Sequence, residues 1–239
     1  MFHDRVEAGR RLAYRLTNCT LYDVVVLGLP RGGVPVAAEV ARVLRAPLDV
    51  IVVRKLGVPS QPEYAMGAVG EDGVTVLSEE VVRFVHAAAA DVDRVEHEQR
   101  HVLDTRLAAL RAVRPREPLT GRTALLVDDG IATGSTMRAA VRVARAHGAK
   151  RVVVASPVAP PDVVRALSTE ADEVFVLEQP EPFWAVGKWY EHFEPVSDDE
   201  VLDLLAHAAA PLHRQVVLPL APQGETSPEL SGRLPGQAT

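Results

Sequence analysis

The segment 124–136, ALLVDDGIATGST, sets two adjacent carboxylates, Asp128 and Asp129, directly after an apolar run. A short loop follows, and Thr133, Gly134, Ser135 and Thr136 then open a helical pattern. Free backbone N–H groups and hydroxyls at a helix start make a phosphate cradle, and the helix dipole favours the anion. Gly134 lets the backbone approach a ligand with no Cβ in the way. Two carboxylates beside such a cradle would repel a phosphate; they suit sugar hydroxyls, as on a ribose, or the waters of a magnesium ion. A sugar phosphate with free hydroxyls meets both demands. The segment has neither the Gly-Lys-Ser/Thr ending of a Walker loop nor the glycine spacing of a dinucleotide fingerprint, which counts against both common nucleotide readings.

These residues need a scaffold, and the apolar pattern describes one. Short apolar runs at 22–29, 48–53, 123–128, 151–155 and 173–177 alternate with helical patterns ending near Leu44 and at about 135–147 and 161–169. Buried runs alternating with helices are the mark of a parallel sheet with crossover helices. The expected fold is α/β, an open, mainly parallel five-stranded sheet flanked by helices. Helices are also expected at 4–17 and at about 198–209. Residues 55–78, with Gly57, Pro59, Pro62, Gly67, Gly70 and Gly73, read as a loop with short extended pieces. Residues 79–113 carry Val81, Val85, Ala88, Val92, Val95, Val102 and Ala109 at helical spacing. One helix of that length reaches ~50 Å, beyond the core of a small domain. It needs another surface to lean on, and a second copy in a homodimer is one source. The segment from Pro211 is rich in Pro, Gly and Ser and reads as disordered tail.

Composition narrows the class. The 239 residues are 47% hydrophobic and 24% charged, an ordinary soluble balance, and a prior of ~150 residues per domain leaves one large domain with appendages. A net charge of −6 gives no electrostatic footprint for nucleic acid. No run approaches the ~20 apolar residues of a spanning helix, and the first residues hold no apolar signal core. The single cysteine, Cys19, excludes a disulfide framework and a Cys-based zinc module. The expected location is the cytoplasm. Aromatics are only 5% of the chain, yet Phe183, Trp184, Trp189, Tyr190 and Phe193 lie within one short stretch.

The 124–136 segment resembles the phosphoribosyl pyrophosphate (PRPP) signature of the type I phosphoribosyltransferases. The resemblance implies that Asp128 and Asp129 hold the ribose 2′- and 3′-hydroxyls and that Ala132, Thr133, Gly134, Ser135 and Thr136 wrap the 5-phosphate. Mg²⁺ is implied as cofactor, with Asp128 and Asp129 reaching it indirectly through hydroxyls or waters. Pro30-Arg31-Gly32-Gly33 resembles the family's pyrophosphate loop, where the peptide before the first glycine is often cis when ligand is bound. Arg31 would supply charge there, and Gly32 and Gly33 exposed N–H donors. Arg54 and Lys55 stand where family members place residues near the pyrophosphate, and equally read as solvated strand-end charges.

By the same resemblance the fold is that of the type I enzymes, one domain over 1–210 with a flexible flap (about 55–78), a long inserted helix (79–113) and a hood (about 178–197), followed by the tail 211–239. The flap would close over PRPP and carry Gln61, Pro62, Glu63 and Tyr64 towards the site, shielding an oxocarbenium-like sugar from water. The run PFWAVGKWYEHF resembles the purine branch, which makes Trp184 the stacking residue for the acceptor base and puts Glu191 near an acidic position facing the pyrophosphate. Ala132 replaces the loop carboxylate of the hypoxanthine-guanine enzymes, as in adenine-type enzymes, and Glu63 is the substitute base. The implied partners are PRPP and a small heterocyclic acceptor. Some family members regulate rather than catalyse, so a non-catalytic PRPP or nucleotide sensor is the alternative.

One rival motif is present. His97-Glu98-Gln99-Arg100-His101 fits H-E-x-x-H, whose histidines share a helix face in zinc proteases. Its surroundings are highly charged, and 100° per residue from Val92, Val95 and Val102 turns both imidazoles towards the polar side. A solvated helix face is the expectation.

Overall fold

The computed structural model describes residues 1–59, 61–85, 88–208 and 216–217, with the backbone alone at 61–64, 80 and 216–217. Helix α1 (Arg5–Leu16) is started by Asp4, whose carboxylate accepts from the Glu7 amide at 2.7 Å, as an N-cap residue does. Strands β1 (Leu21–Tyr22) and β2 (Val24–Gly28), helix α2 (Gly33–Leu44) and strand β3 (Leu48–Val50) follow. Then come β4 (Val53–Val58), β5 (Gln61–Gly70), β6 (Thr75–Leu77), α3 (Glu79–Phe84) and α4 (Ala89–Val113). The chain continues through β7 (Thr123–Val127), α5 (Ser135–Ala146), β8 (Arg151–Val158), α6 (Pro161–Leu167) and β9 (Glu173–Glu178). A 3-10 turn (Val186–Trp189), α7 (Asp198–His207) and β10 (Val216–Val217) complete it.

The central sheet has the order β3-β2-β7-β8-β9 with every pairing parallel, the five-stranded α/β arrangement expected. Both β2 and β7 are buried at every position, so each reads as a continuous apolar run. Side chains alternate between two cores. Val25, Leu27, Ala124 and Leu126 pack with Met137 and Val141 of α5 and Leu167 of α6. Val26, Leu125 and Val127 pack with Leu12 of α1 and Val40 of α2 on the other face. From β2 the chain moves to β3 on one side and returns through β7 on the other. The strand order therefore reverses between β2 and β7, where open α/β sheets form a crevice at their carboxyl ends. The two strands end level, with Gly28 opposite Val127.

Two elements depart from the expectations. Residues 55–78 are not a loop: β4, β5 and β6 form an antiparallel sheet in which β5 runs for ten residues. The glycines are absorbed by register shifts at Leu56, Gly57 and Val58 and by the turn at Gly73, while Leu56, Met66 and Val69 bury into the core. The helix expected over 79–113 is two helices, α3 and α4, separated at 85–88, of which 86–87 lie outside the described residues. Its buried seam is Val92, Val95, Leu103, Leu107 and Leu110, whereas Val102 is exposed. That seam is covered by the chain's own β4, β5 and α7, so no second copy is needed to bury it. The disordered tail expected from Pro211 falls outside the described residues, except that Val216–Val217 pair antiparallel with Leu21–Tyr22.

The far end of α4 is held by charge. Arg111 donates to Asp49 Oδ1 at 2.7 Å and to both carboxylate oxygens of Glu71, at 2.5 and 2.7 Å. Asp49 is fully buried on β3 and also accepts from the Glu117 and Val50 amides. Burial pushes its carboxyl above the usual value, against the pull of Arg111. No helix among the described residues is long and apolar enough to cross a membrane.

Candidate functional site

The loops after β2 and β7 meet at the crevice. A Cβ on Gly32 would overlap the Asp129 carboxylate, and one on Gly33 would lie 2.6 Å from the Val127 carbonyl and 2.8 Å from Asp128 Cα. Only glycine permits this approach, so the two sequence motifs lie against each other in one crevice. The Pro30–Arg31 peptide is cis.

Asp128 and Asp129 end β7 but differ in surroundings. Asp128 keeps partial exposure, and its Oδ1 accepts from the Asp129 amide at 2.9 Å. Burial, then the charge of Asp129, raise its pKa well above the ordinary carboxylate value. Asp129 is buried, and its Oδ2 accepts from Arg5 Nε at 2.7 Å. Burial raises its pKa too, while Arg5 opposes the shift. The Tyr190 hydroxyl donates to the Asp129 carbonyl at 2.5 Å, and burial raises the Tyr190 pKa, so it stays protonated.

Beyond the acidic pair the chain turns into α5. Gly134 occupies the N-cap with φ +74°, a left-handed conformation that glycine adopts freely, and no side chain caps the helix. Ala132, Thr133 and Thr136 are exposed, and the Thr133 and Ser135 hydroxyls lie 3.3 Å apart. Open amides and clustered hydroxyls at the start of a twelve-residue helix can receive an anion.

Cations approach from the other side. Arg31 is half-exposed, 3.7 Å from Asp198 at the start of α7. Arg54 donates to Gln99 of α4 at 3.1 Å. Arg54 and Lys55 line a cavity of about 620 Å³ with Pro30 and Thr136, and Lys55 and Ser135 share a second of about 450 Å³. Arg54 and Lys55 thus lie beside the crevice. Glu63 lies on β5, and its side chain is outside the described residues.

The aromatic stretch divides in two. Tyr190 is buried against Phe2 and Phe193, with ring centroids 5.4 and 5.0 Å away. Val186 sits where a Cβ on Gly130 would be, so the turn Val186–Trp189 seats on the loop just after Asp129. Trp184, by contrast, is 81% exposed, leaving its face open. Glu191 pairs with His3 Nδ1 at 2.9 Å, so its partner is the N-terminal segment rather than the 30–33 loop. His97 and His101 are both exposed on α4, as expected of a solvated face.

Four residues beside the crevice escape a reading of the sequence: Arg5, Gln99, Asp198 and Arg106 of α4, whose Nη2 lies 3.4 Å from Asp198 Oδ1. Arg5 looks like any first-turn arginine, and nothing local marks its reach to Asp129. Gln99 and Arg106 carry a signal, since both are polar residues on the inward side of α4.

A family model described as a phosphoribosyl transferase domain matches residues 2–191. Two Mycobacterium tuberculosis proteins, from strains CDC 1551 and H37Rv and both provisionally named phosphoribosyl transferases, are 57% identical over 208 residues. The match covers 87% of this chain and 47% of each relative, so the chain spans about half the length of the curated relatives it matches. The crystal structure of TT1426 from Thermus thermophilus is 47% identical, with a TM-score of 0.83 over 87% of this chain and 99% of that one. The crevice, its acidic pair and its glycine loop thus belong to a member of the phosphoribosyl transferase domain family.

Proposed function

We propose that this chain transfers the 5-phosphoribosyl group of PRPP to a nitrogen of a purine-like heterocycle and releases pyrophosphate. The observation that carries the reading is the contact of Gly32-Gly33 with Asp128-Asp129 at the strand-order reversal, beside the uncapped start of α5. A diphosphate loop, a hydroxyl-binding acidic pair and a phosphate cradle then lie in the order in which PRPP presents those groups. Asp128 and Asp129 take the ribose hydroxyls, and Ala132 through Thr136 the 5-phosphate. Arg31, the Gly32 and Gly33 amides, Arg54 and Lys55 attend the diphosphate. Trp184 offers its exposed face to the base, with Glu191 at the edge of the hood.

In the reaction the bond from ribose C1 to the diphosphate oxygen breaks, its electron pair leaving with pyrophosphate. The acceptor nitrogen forms the new bond to C1 and gives up its proton, with Glu63 as the base. Catalysis rests on positioning and on cations aimed at the departing charge. The donor set suits Mg²⁺: Asp128, and Asp129 with one of its oxygens held by Arg5, would reach the ion indirectly through hydroxyls or waters. When bound, Mg²⁺ neutralises charge on the diphosphate. A cytoplasmic location accords with the single cysteine.

Incubation with PRPP, Mg²⁺ and a panel of purine and other bases tests this. Pyrophosphate release with at least one base is the expected result. Tight PRPP binding without release for any base would replace the transferase with a PRPP-binding regulator.

A further inference from the structure

Helix α4 carries polar residues where a helix that merely packs would be apolar. At 100° per residue Gln99 and Arg106 fall within about 40° of Val92 and Leu110, which are buried. Gln99 is engaged by Arg54. Arg106 lines two cavities at once.

The first is the 620 Å³ cavity, whose lining includes Arg54, Lys55, Arg94 and Arg106, with Glu98 the one carboxylate among its lining residues. It joins the loop after β2 to β4, α4 and the start of α5. The second, of about 550 Å³, adds Arg31 and Asp198. Asp198 draws the two arginines together: its Oδ2 lies 3.7 Å from Arg31 Nη1 and its Oδ1 3.4 Å from Arg106 Nη2. One guanidinium comes from the glycine loop and the other from α4. Arg31 is half-exposed, Asp198 is well exposed and both contacts are long, so the carboxylate holds the arginines weakly. An anion with more charge and more acceptor oxygens than a carboxylate can take both, and arginine forks match phosphate geometry.

We propose that Arg106 is a diphosphate-binding residue of this chain, paired with Arg31 at the leaving group of PRPP, and that Asp198 is the carboxylate the diphosphate displaces. This rests on the phosphoribosyltransferase reading and gives α4 a share in the site. Arg106 and Asp198 would then act on the same ligand with opposite sign, a pattern that a merely structural pair does not produce.

Calorimetric titration of the full chain with inorganic pyrophosphate and Mg²⁺, and separately with ribose 5-phosphate, tests the proposal. Arg106→Gln is expected to weaken pyrophosphate binding roughly tenfold, the loss of a charged hydrogen bond. Asp198→Asn is expected to tighten it severalfold, and ribose 5-phosphate binding stays unchanged in both variants. Unchanged pyrophosphate affinity in Arg106→Gln, or weakening in both variants, would overturn the proposal, and weakening by Arg31→Gln would show that the underlying reading survives. A wild-type chain that binds neither probe would overturn the proposal and the reading together.

Discussion

Arg5 Nε donates to Asp129 Oδ2 at 2.7 Å across 124 positions of sequence, so the first turn of α1 holds one half of the acidic pair. Both side chains are nearly buried. The same guanidinium donates to the Glu194 carbonyl at 2.8 Å and lies 3.9 Å above the Phe193 ring. One residue therefore joins the N-terminal helix, the β7 loop and the hood. Arg5→Ala leaves Asp129 buried without its counter-charge and is expected to cost about 3 kcal/mol in urea unfolding. Arg5→Lys restores only part of this, because a single ammonium cannot keep both hydrogen bonds and the ring contact.

The two glycines of the 30–33 loop should fail differently. At Gly33 the obstacles to a methyl group are backbone atoms, the Val127 carbonyl and Asp128 Cα, so the strand end itself must move. At Gly32 the obstacle is the Asp129 carboxylate. Gly33→Ala is expected to lower stability by about 2 kcal/mol, in the range of overpacked cores. Gly32→Ala presses on Asp129 Oδ2, the oxygen that Arg5 holds, so it should cost at least as much stability and also lower PRPP affinity. Unfolding curves beside PRPP titrations check both.

Asp128 gives a pH signature. Its folded pKa is raised by burial and by Asp129, so its ionised form opposes folding at neutral pH. Between the ordinary carboxylate pKa and the raised value the folded state binds more protons than the unfolded state. Stability therefore falls as pH rises through that window. Asp128→Asn is expected to raise stability at pH 7 by about 1 kcal/mol, or a Tm gain of about 3 °C. The gain should shrink as pH falls through the same window. Calorimetric melting of both proteins across acid pH checks it.

The salt bridges of Arg111 anchor α4 to β3 and to the start of the turn after β5. Arg111→Ala strands the fully buried Asp49 and is expected to cost about 3 kcal/mol or more, on the order of other broken buried pairs. Arg111→Lys loses the two-pronged contact with Glu71 and should recover less than half. Denaturant midpoints at neutral pH measure both.

What sequence could reveal follows from how local each signal is. The core strands are runs such as 124–127 whose neighbours on both faces are helices of the same α/β alternation, so the pattern is written in the run itself. The acidic pair and the 132–136 turn share one short segment for the same reason. The β4–β5–β6 sheet is hidden because Gly57, Pro59, Pro62 and Gly67 look like breakers until a bulge and antiparallel partners accommodate them. Within α4 the apolar seam runs through Leu103 rather than Val102, a choice that only packing against β4, β5 and α7 decides. The aromatic cluster is visible in the sequence, but not that Tyr190 turns inward to the Asp129 carbonyl while Trp184 faces out. Arg5 and Asp198 are tertiary facts, set by chain segments that no spacing rule links.

The central claim is that the Asp128–Asp129 crevice binds PRPP. Isothermal titration of the full chain with PRPP in the presence of Mg²⁺, comparing wild type with Asp128→Asn, tests it most directly. The account predicts one site per chain in the wild type and severe weakening in a variant that is still folded and no less stable. Equal affinity in the two proteins, or no binding by either, would contradict it.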